Sequence, residues 1–375
     1  MELTIHHQVL LAVFLVAAVM GAIVNKTNFC TMGAVSDWVN IGDTGRMRAW
    51  VFAMVIALLG VLALEAAGIA NLYAETFPPY RTASFAWLRY LLGGLVFGIG
   101  MTLASGCGNK TLVRVGAGNM KSLLVLVVAA IAAYLMMWSS LFEKAFVPWI
   151  APTTLHLSQH GVPNQELSSV LAAMLGMPSA PWFHLLVGVL VAAGMLLFVF
   201  RSKDFRGSRD NILGGAAVGL AIVAGWWITS GPWGRRWKEY AEMAIDVPSR
   251  VQVQSYTFVS PMGDSARYLV DPDNLLLVNF GVMALAGVIL GSFVYALATR
   301  SFRLEWFASG GDFARHAAGG ALMGVGGVLA MGCTVGQAIT GVSTLAIGSI
   351  LTFFAIVIGS AGTMKFQYWR MMQEA

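Results

Sequence analysis

Nine apolar runs, each about as long as a membrane-crossing helix, occupy residues 8–24, 49–70, 88–104, 122–142, 182–200, 211–230, 275–298, 317–331 and 345–362. Inside a bilayer every backbone N–H and C=O must find its partner within the protein, so a spanning segment is either a helix or a strand of a closed barrel. These runs are apolar on every face and far longer than the alternating ten-residue strands of a barrel, which excludes the barrel. The chain is 58% hydrophobic and 11% charged, whereas a soluble domain carries about a quarter charged residues. The expectation is an all-α polytopic membrane protein of about nine transmembrane helices.

Lys and Arg in short loops orient such a chain. The loop 201–210 carries Arg201, Lys203, Arg206 and Arg209, which predicts a cytoplasmic position; segment 143–181 has only Lys144 and is expected outside. Counting from that anchor puts the N-terminus outside and the C-terminus inside. Arg46 and Arg48, Arg300 and Arg303, and Lys365 and Arg370 then all fall inside. The loop 231–274 is the exception, holding Arg235, Arg236 and Lys238, and is read as a small outer domain.

One stretch occurs twice. Arg89 to Cys107 reads RYLLGGLVFGIGMTLASGC, and Arg315 to Cys333 reads RHAAGGALMGVGGVLAMGC, with nine identities in nineteen positions against roughly two expected by chance. The copies fall on the third and eighth runs, so they cross in opposite directions and the repeats are inverted. Pairing runs one to four with six to nine leaves run five as a connector, a 4+1+4 plan. The expected units are 1–142 for the first repeat, 143–210 for the outer segment and connecting helix, and 211–375 for the second repeat with its outer loop. Inverted-repeat transporters bind their solute where the repeats meet. The pairs Gly94/Gly98 and Gly320/Gly324 have the small-xxx-small spacing that brings helix backbones close in lipid, and packing is their expected role.

Beyond each repeated cysteine the sequence stops looking helical. Gly106, Gly108 and Asn109 flank Cys107, while Gly332, Thr334, Gly336 and Gln337 flank Cys333. Short broken or re-entrant helices, tolerated at membrane depth where they are buried or line a polar cavity, are expected at both places. The third cysteine, Cys30, lies in a similar break, NKTNFCTMGAVSDW. The expected substrate path therefore comprises Cys30, Cys107, Cys333, Gly106, Gly332, Asn109, Thr334 and Gln337. Lys26, Lys110 and Arg114 are candidates for attracting anions to its mouths, with plain interfacial anchoring as the alternative.

The residues alone leave the cysteines three roles: inert packing, hydrogen-bond donation to a passing anion, or persulfide formation in a sulfur relay. No Cys/His spacing suits zinc, a disulfide would leave one thiol over, and the 20 Met are scattered rather than clustered for Cu(I). No metal or cofactor is expected, and no cysteine has a neighbouring His to activate it as a nucleophile. For a small anion entering the membrane, neutral S–H groups and half-helix N-termini would replace lost hydration without a trap too deep to leave. A channel for an unrelated small solute remains the other class.

NFCTMGAVSDW, GIGMTLASGC and GVGGVLAMGC resemble the three cysteine-bearing motifs of the YeeE/YedE family of bacterial inner-membrane proteins, and the resemblance extends over nearly the whole chain. It implies an hourglass-shaped protein for uptake of thiosulfate or related sulfur compounds, with short helices from both faces and the three thiols, Cys30, Cys107 and Cys333, along the constriction. It also implies a link to a small cytoplasmic sulfurtransferase of the TusA type. Thiosulfate carriers of the family have small neutral residues after the middle cysteine, where this chain has Gly108-Asn109-Lys110 and Arg114.

Glu65, inside an apolar run, is a candidate proton carrier or an interfacial residue. Asp37 is expected to cap or sit in a loop. His156, His160, His184 and His316 show no helical pairing and are assigned structural or surface roles.

Overall fold

The structure, a computed structural model, describes residues 4–73 and 76–374. The first half contains α1 (Ile5–Thr27), α2 (Thr31–Ile41), α3 (Gly45–Ala66), α4 (Trp87–Leu103), α5 (Gly108–Gly116) and α6 (Met120–Trp138). Short helices α7 (Leu141–Ala145), α8 (Val147–Ile150) and α9 (Leu167–Met174) lead to α10 (Pro181–Phe200) and α11 (Lys203–Gly207). The second half contains α12 (Arg209–Ser230), α13 (Pro232–Met243), α14 (Val259–Val270), α15 (Phe280–Ala298), α16 (Gly310–Leu329) and α17 (Ile347–Glu374). The two-residue strands β1 (Thr76–Phe77), β2 (Ser84–Phe85), β3 (Leu155–His156) and β4 (Val253–Gln254) make two small ladders, β1 with β4 and β2 with β3. The protein is thus all-α.

Eight segments among the described residues are long and apolar enough to cross a membrane: Ile5–Ile41, α3, Trp87–Gly116, α6, α10, α12, α15 and Ile347–Gln373. Two of these, Ile5–Ile41 and Trp87–Gly116, are pairs of helices broken at a cysteine, α1 with α2 and α4 with α5. The run expected at 317–331 forms the later part of α16, whose first turns carry Asp312, Arg315 and His316 and which lies outside that set.

Small residues set the packing. α4 and α16 run antiparallel, with Gly93 opposite Ala330 and Gly100 opposite Met323. A Cβ added at Gly93 would collide with the Ala330 nitrogen, and one at Gly319 would lie 2.5 Å from the Ala104 nitrogen. The backbones touch because neither side chain intervenes. The other face of each helix repeats the device: Gly94 and Gly98 meet Ala355 and Ile356 of α17, and Gly320 and Gly324 meet Val125 and Ala129 of α6. Likewise α1 packs on α15 through Gly21, Gly287 and Gly291, and α12 packs on α3 through Gly215 and Gly219. Each of these glycine-lined contacts of one half therefore has a counterpart in the other, whereas α10 packs chiefly on α3.

The segment expected to be an outer domain behaves differently. α13 is amphipathic, but the chain then returns inward, and every residue from 254 to 264 is buried. β4 pairs with β1, Ser255 donates to the Ile222 carbonyl, and Tyr256 donates to the Val13 carbonyl. The start of α14 packs against α6 and α16, with Val259 filling the space over Gly327. Charge counting cannot show this, because the apolar and hydroxyl-rich stretch TFVSPM is too short to register as a span.

Candidate functional site

Both repeated helices end in the same way. In the first, Ala104, Ser105 and Gly106 donate backbone N–H groups to the carbonyls of Gly100, Thr102 and Met101; in the second, Ala330, Met331 and Gly332 donate to Gly326, Val328 and Gly327. The terminating residue is left-handed in each copy, Ser105 at φ 57° and Met331 at φ 61°. A left-handed residue closes the helix by satisfying its last carbonyls, at some steric cost for a side chain other than glycine. The first helix ends similarly, with Asn28 at φ 51°.

Each cysteine then starts the next short element. Cys30 is the N-cap of α2, its sulfur accepting from Gly33 N–H at 3.3 Å, and Cys107 is the N-cap of α5, its sulfur in reach of Lys110 N–H. Cys333 precedes a π-helical turn, Gly336–Gly341, and its sulfur accepts from Gly336 N–H at 3.4 Å, with Val335 and Phe258 N–H groups close by. The sulfurs of Cys30 and Cys333 thus accept from an N–H three residues on, as oxygen side chains do at ordinary helix starts, and Cys107 stands at the N-cap position of α5, where unpaired N–H groups create positive potential.

The breaks converge. The thiols of Cys30 and Cys107 interact directly, Cys107 also lies against Thr31 and Thr334, and Cys333 is within electrostatic reach of Cys107. All three cysteines are free and buried. Around them, the hydroxyls of Thr31, Thr257 and Thr334 and Oδ1 of Asn109 are buried without a hydrogen-bond partner. Each such group costs about 1–3 kcal/mol when left unpaired in an apolar interior, so their gathering at one point marks a polar locus.

The remaining expected residues divide. Asn109, Thr334, Gly106 and Gly332 are buried at the breaks. Lys110 is buried as well; its Nζ donates to Asn28 Oδ1 at 3.0 Å and senses both Cys30 and Cys107. Arg114 donates to the Ser105 carbonyl at 2.7 Å and so supports the left-handed residue before Cys107. Lys26 is exposed on the last turn of α1. Gln337 is used internally, donating to the Ala330 carbonyl at 2.7 Å and accepting from Ser349 Oγ at 2.5 Å. Its place is to pin the re-entrant segment, which Tyr80 also holds by donating to the Gly336 carbonyl at 2.6 Å.

Sequence reasoning missed Thr31, Thr257 and Tyr80. The first directly follows Cys30 and was recoverable; the other two reach the site only through folding. Asp37 is an ion-pair partner of Arg46, and Arg89 donates to the Val328 and Leu329 carbonyls at the end of α16. His184 and Glu65 form an ion cluster with Arg81 and Glu166, so the structural assignment of His184 understates its charge environment.

The profile of the family described as sulphur transport matches residues 26–362. The chain belongs to that family. It is 25% identical over 335 residues, covering 85% of this chain and 84% of the relative, to the thiosulfate transporter TsuA of Escherichia coli strain K12. It is 26% identical over 352 residues, covering 92% of this chain and 95% of the relative, to the thiosulfate transporter TsuA of Spirochaeta thermophila. The cysteine breaks all lie within the matched region. This family member is therefore a transporter rather than an enzyme, and its apolar helices make it a multi-pass membrane protein.

Proposed function

We propose that this chain takes up thiosulfate, or a closely related small sulfur anion, across the bacterial inner membrane through a constriction lined by Cys30, Cys107 and Cys333. The observation carrying this reading is the convergence of three buried cysteines, each at a break before a short helical element, around unpartnered Thr31, Thr257, Thr334 and Asn109 oxygens.

A dianion entering this region gives up water, a large cost unless donors replace it. The N–H groups of Gly33, Lys110 and Gly336 already point at sulfur positions, and a rotated thiol or threonine hydroxyl donates to an oxygen or sulfur of the solute. Weak S–H donors spaced along a short path hold an anion loosely enough to pass it on. Lys110 brings its amino group, held by Asn28 Oδ1, to the Cys30–Cys107 side. The two repeats, 1–142 and 211–375 with 143–210 joining them, would then present one break from each face. The N-terminus would lie outside and the C-terminus inside, with release toward a TusA-like sulfurtransferase.

Uptake of radiolabelled thiosulfate into proteoliposomes tests the reading. Cys107→Ala removes the donor and little volume, and should cut uptake by about tenfold or more, as expected for a lost hydrogen bond to a charged group. Cys107→Ser keeps a donor and should retain measurable uptake, whereas a covalent persulfide route would leave it as inactive as Ala. Normal uptake by the Ala variant at equal membrane levels would sink the proposal.

A further inference from the structure

Away from the cysteines, four ionisable side chains from four places in the chain close on one another. Arg81 places its guanidinium on Glu65 at 2.5 and 3.1 Å and lies 3.6 Å from Glu166. His184 of α10 sits between the same two carboxylates, with Nε2 3.0 Å from Glu65 Oε2 and Nδ1 against Glu166 Oε1. The Tyr73 ring covers both cations, 4.6 Å below the Arg81 guanidinium and edge-on to His184. Side-chain exposure is 0% for Glu166, 3% for Arg81, 10% for Glu65 and 11% for His184, so these charges are held largely out of water.

An imidazole that meets a carboxylate at each nitrogen donates from both, which only the imidazolium can do. With His184 charged, two cations balance two anions. With His184 neutral, a buried negative charge remains and one carboxylate loses one of its donors, a costly state. For Glu166, burial pushes the carboxyl up, but the His184 hydrogen bond and the Arg81 charge outweigh it and hold it at about 2.

The cluster also grips the segment beyond Cys333. Arg81 Nε donates to the Thr344 carbonyl at 3.0 Å, Leu167 N–H to the Leu345 carbonyl, and Ile347 N–H to the Gln165 carbonyl. Leu345 is left-handed at φ 57°, so the corner joining the re-entrant turns to α17 is held in a conformation a leucine disfavours. A cavity of about 670 Å³, lined by Glu65, Asn71, Tyr73, Trp182 and His184 among others, opens onto the cluster and gives protons access.

We infer that Glu65, Arg81, Glu166 and His184 are positioning residues for transport, forming a proton-dependent latch that holds the 342–347 corner, and through it the Cys333 segment, in place. The inference rests on the transport reading above. Protonated His184 keeps the latch closed; as pH rises and the proton leaves to water in the cavity, the latch loosens. Among the described residues, the charged or titratable groups facing His184 are Glu65 from α3, Tyr73 and Arg81 from the loop after it, and Glu166 from the loop before α9. A histidine charged by its partners contributes a hold that is present at low pH and lost at high pH.

The test compares wild type with His184→Gln, and with Glu166→Gln in case the first variant folds poorly. Thiosulfate uptake, hydrogen exchange of the 342–347 amides and melting temperature would be followed from about pH 6 to about pH 9, the range in which a perturbed histidine titrates. Wild type should lose amide protection at the corner by about tenfold and lose uptake as pH rises, while His184→Gln should be weakly protected and flat across that range. A pH loss that persists unchanged in both variants belongs to other groups, such as the path thiols, and overturns the latch. Wild-type protection that does not change with pH also overturns it. Cys107→Ala measured alongside separates the two ideas: its normal uptake defeats the transport path, whatever the corner amides do.

Discussion

The two Gly-Cys segments share a backbone and differ in the chain beyond the cysteine. Both end with a left-handed residue, a glycine and a cysteine that caps the next turn. After Cys107 the chain forms α5, a regular nine-residue helix carrying Lys110 and Arg114. After Cys333 it forms buried π and 3₁₀ turns with no charge, held by Gln337, Tyr80 and Ser349. The paired arginines have also diverged: Arg89 caps the end of α16, whereas Arg315 pairs with Asp312 and stays half-exposed. Duplication thus preserves the element that places each sulfur, and leaves the surrounding polarity free to differ. One break meets a second thiol and a cation; the other is walled by backbone N–H groups and neutral hydrogen bonds.

The largest effect should come where the two copies are alike. Gly93→Val and Gly319→Val each drive a side chain into the opposing backbone, and each should cost about 3 kcal/mol through overpacking. Both should yield little folded protein by size-exclusion chromatography in detergent. A severe loss in one copy with a tolerant partner would break the equivalence of the two helix contacts.

Next is the charge that the copies do not share. Lys110→Gln should lower thiosulfate uptake by roughly three- to tenfold, consistent with loss of a part-buried charge interaction of about 1 kcal/mol. It should also flatten the dependence of uptake on salt. The equivalent neutral side has no cation to remove, so Gln337→Leu should act through stability instead, lowering the melting temperature with no change in salt dependence. Equal salt responses in both variants would erase the distinction.

The smallest effect belongs to the shared backbone. Ser105→Gly and Met331→Gly relieve a left-handed side chain while adding freedom to the unfolded chain, leaving a net gain of about 0.5 kcal/mol in each. Matching upward shifts in melting temperature are expected. A loss in either one would mean that its side chain, rather than the turn, sets the local structure.

Much of the architecture is legible in the sequence because lipid imposes it: long apolar runs become helices, and the paired glycines announce close contacts. The cysteine breaks are legible too, since Gly and small polar residues interrupt an apolar pattern there. Segment 231–274 misleads, because a re-entrant piece buried among protein needs neither the length nor the hydropathy of a span. Glu65 stands out as an acid in an apolar run, but nothing nearby in the chain names Arg81, Glu166 and His184 as the set around it.

The amino-acid order by itself determined each local event: where a helix runs, where it stops and that a cysteine stands at the stop. These depend on neighbours within a few residues, through backbone hydrogen bonds and side-chain size. Only the tertiary structure decided that three stops meet, that Thr257 and Tyr80 join them, and that four separated charges close into one cluster. Such meetings depend on the packing of distant helices, where contact is fixed by the shape of both surfaces at once and leaves no periodic trace along the chain.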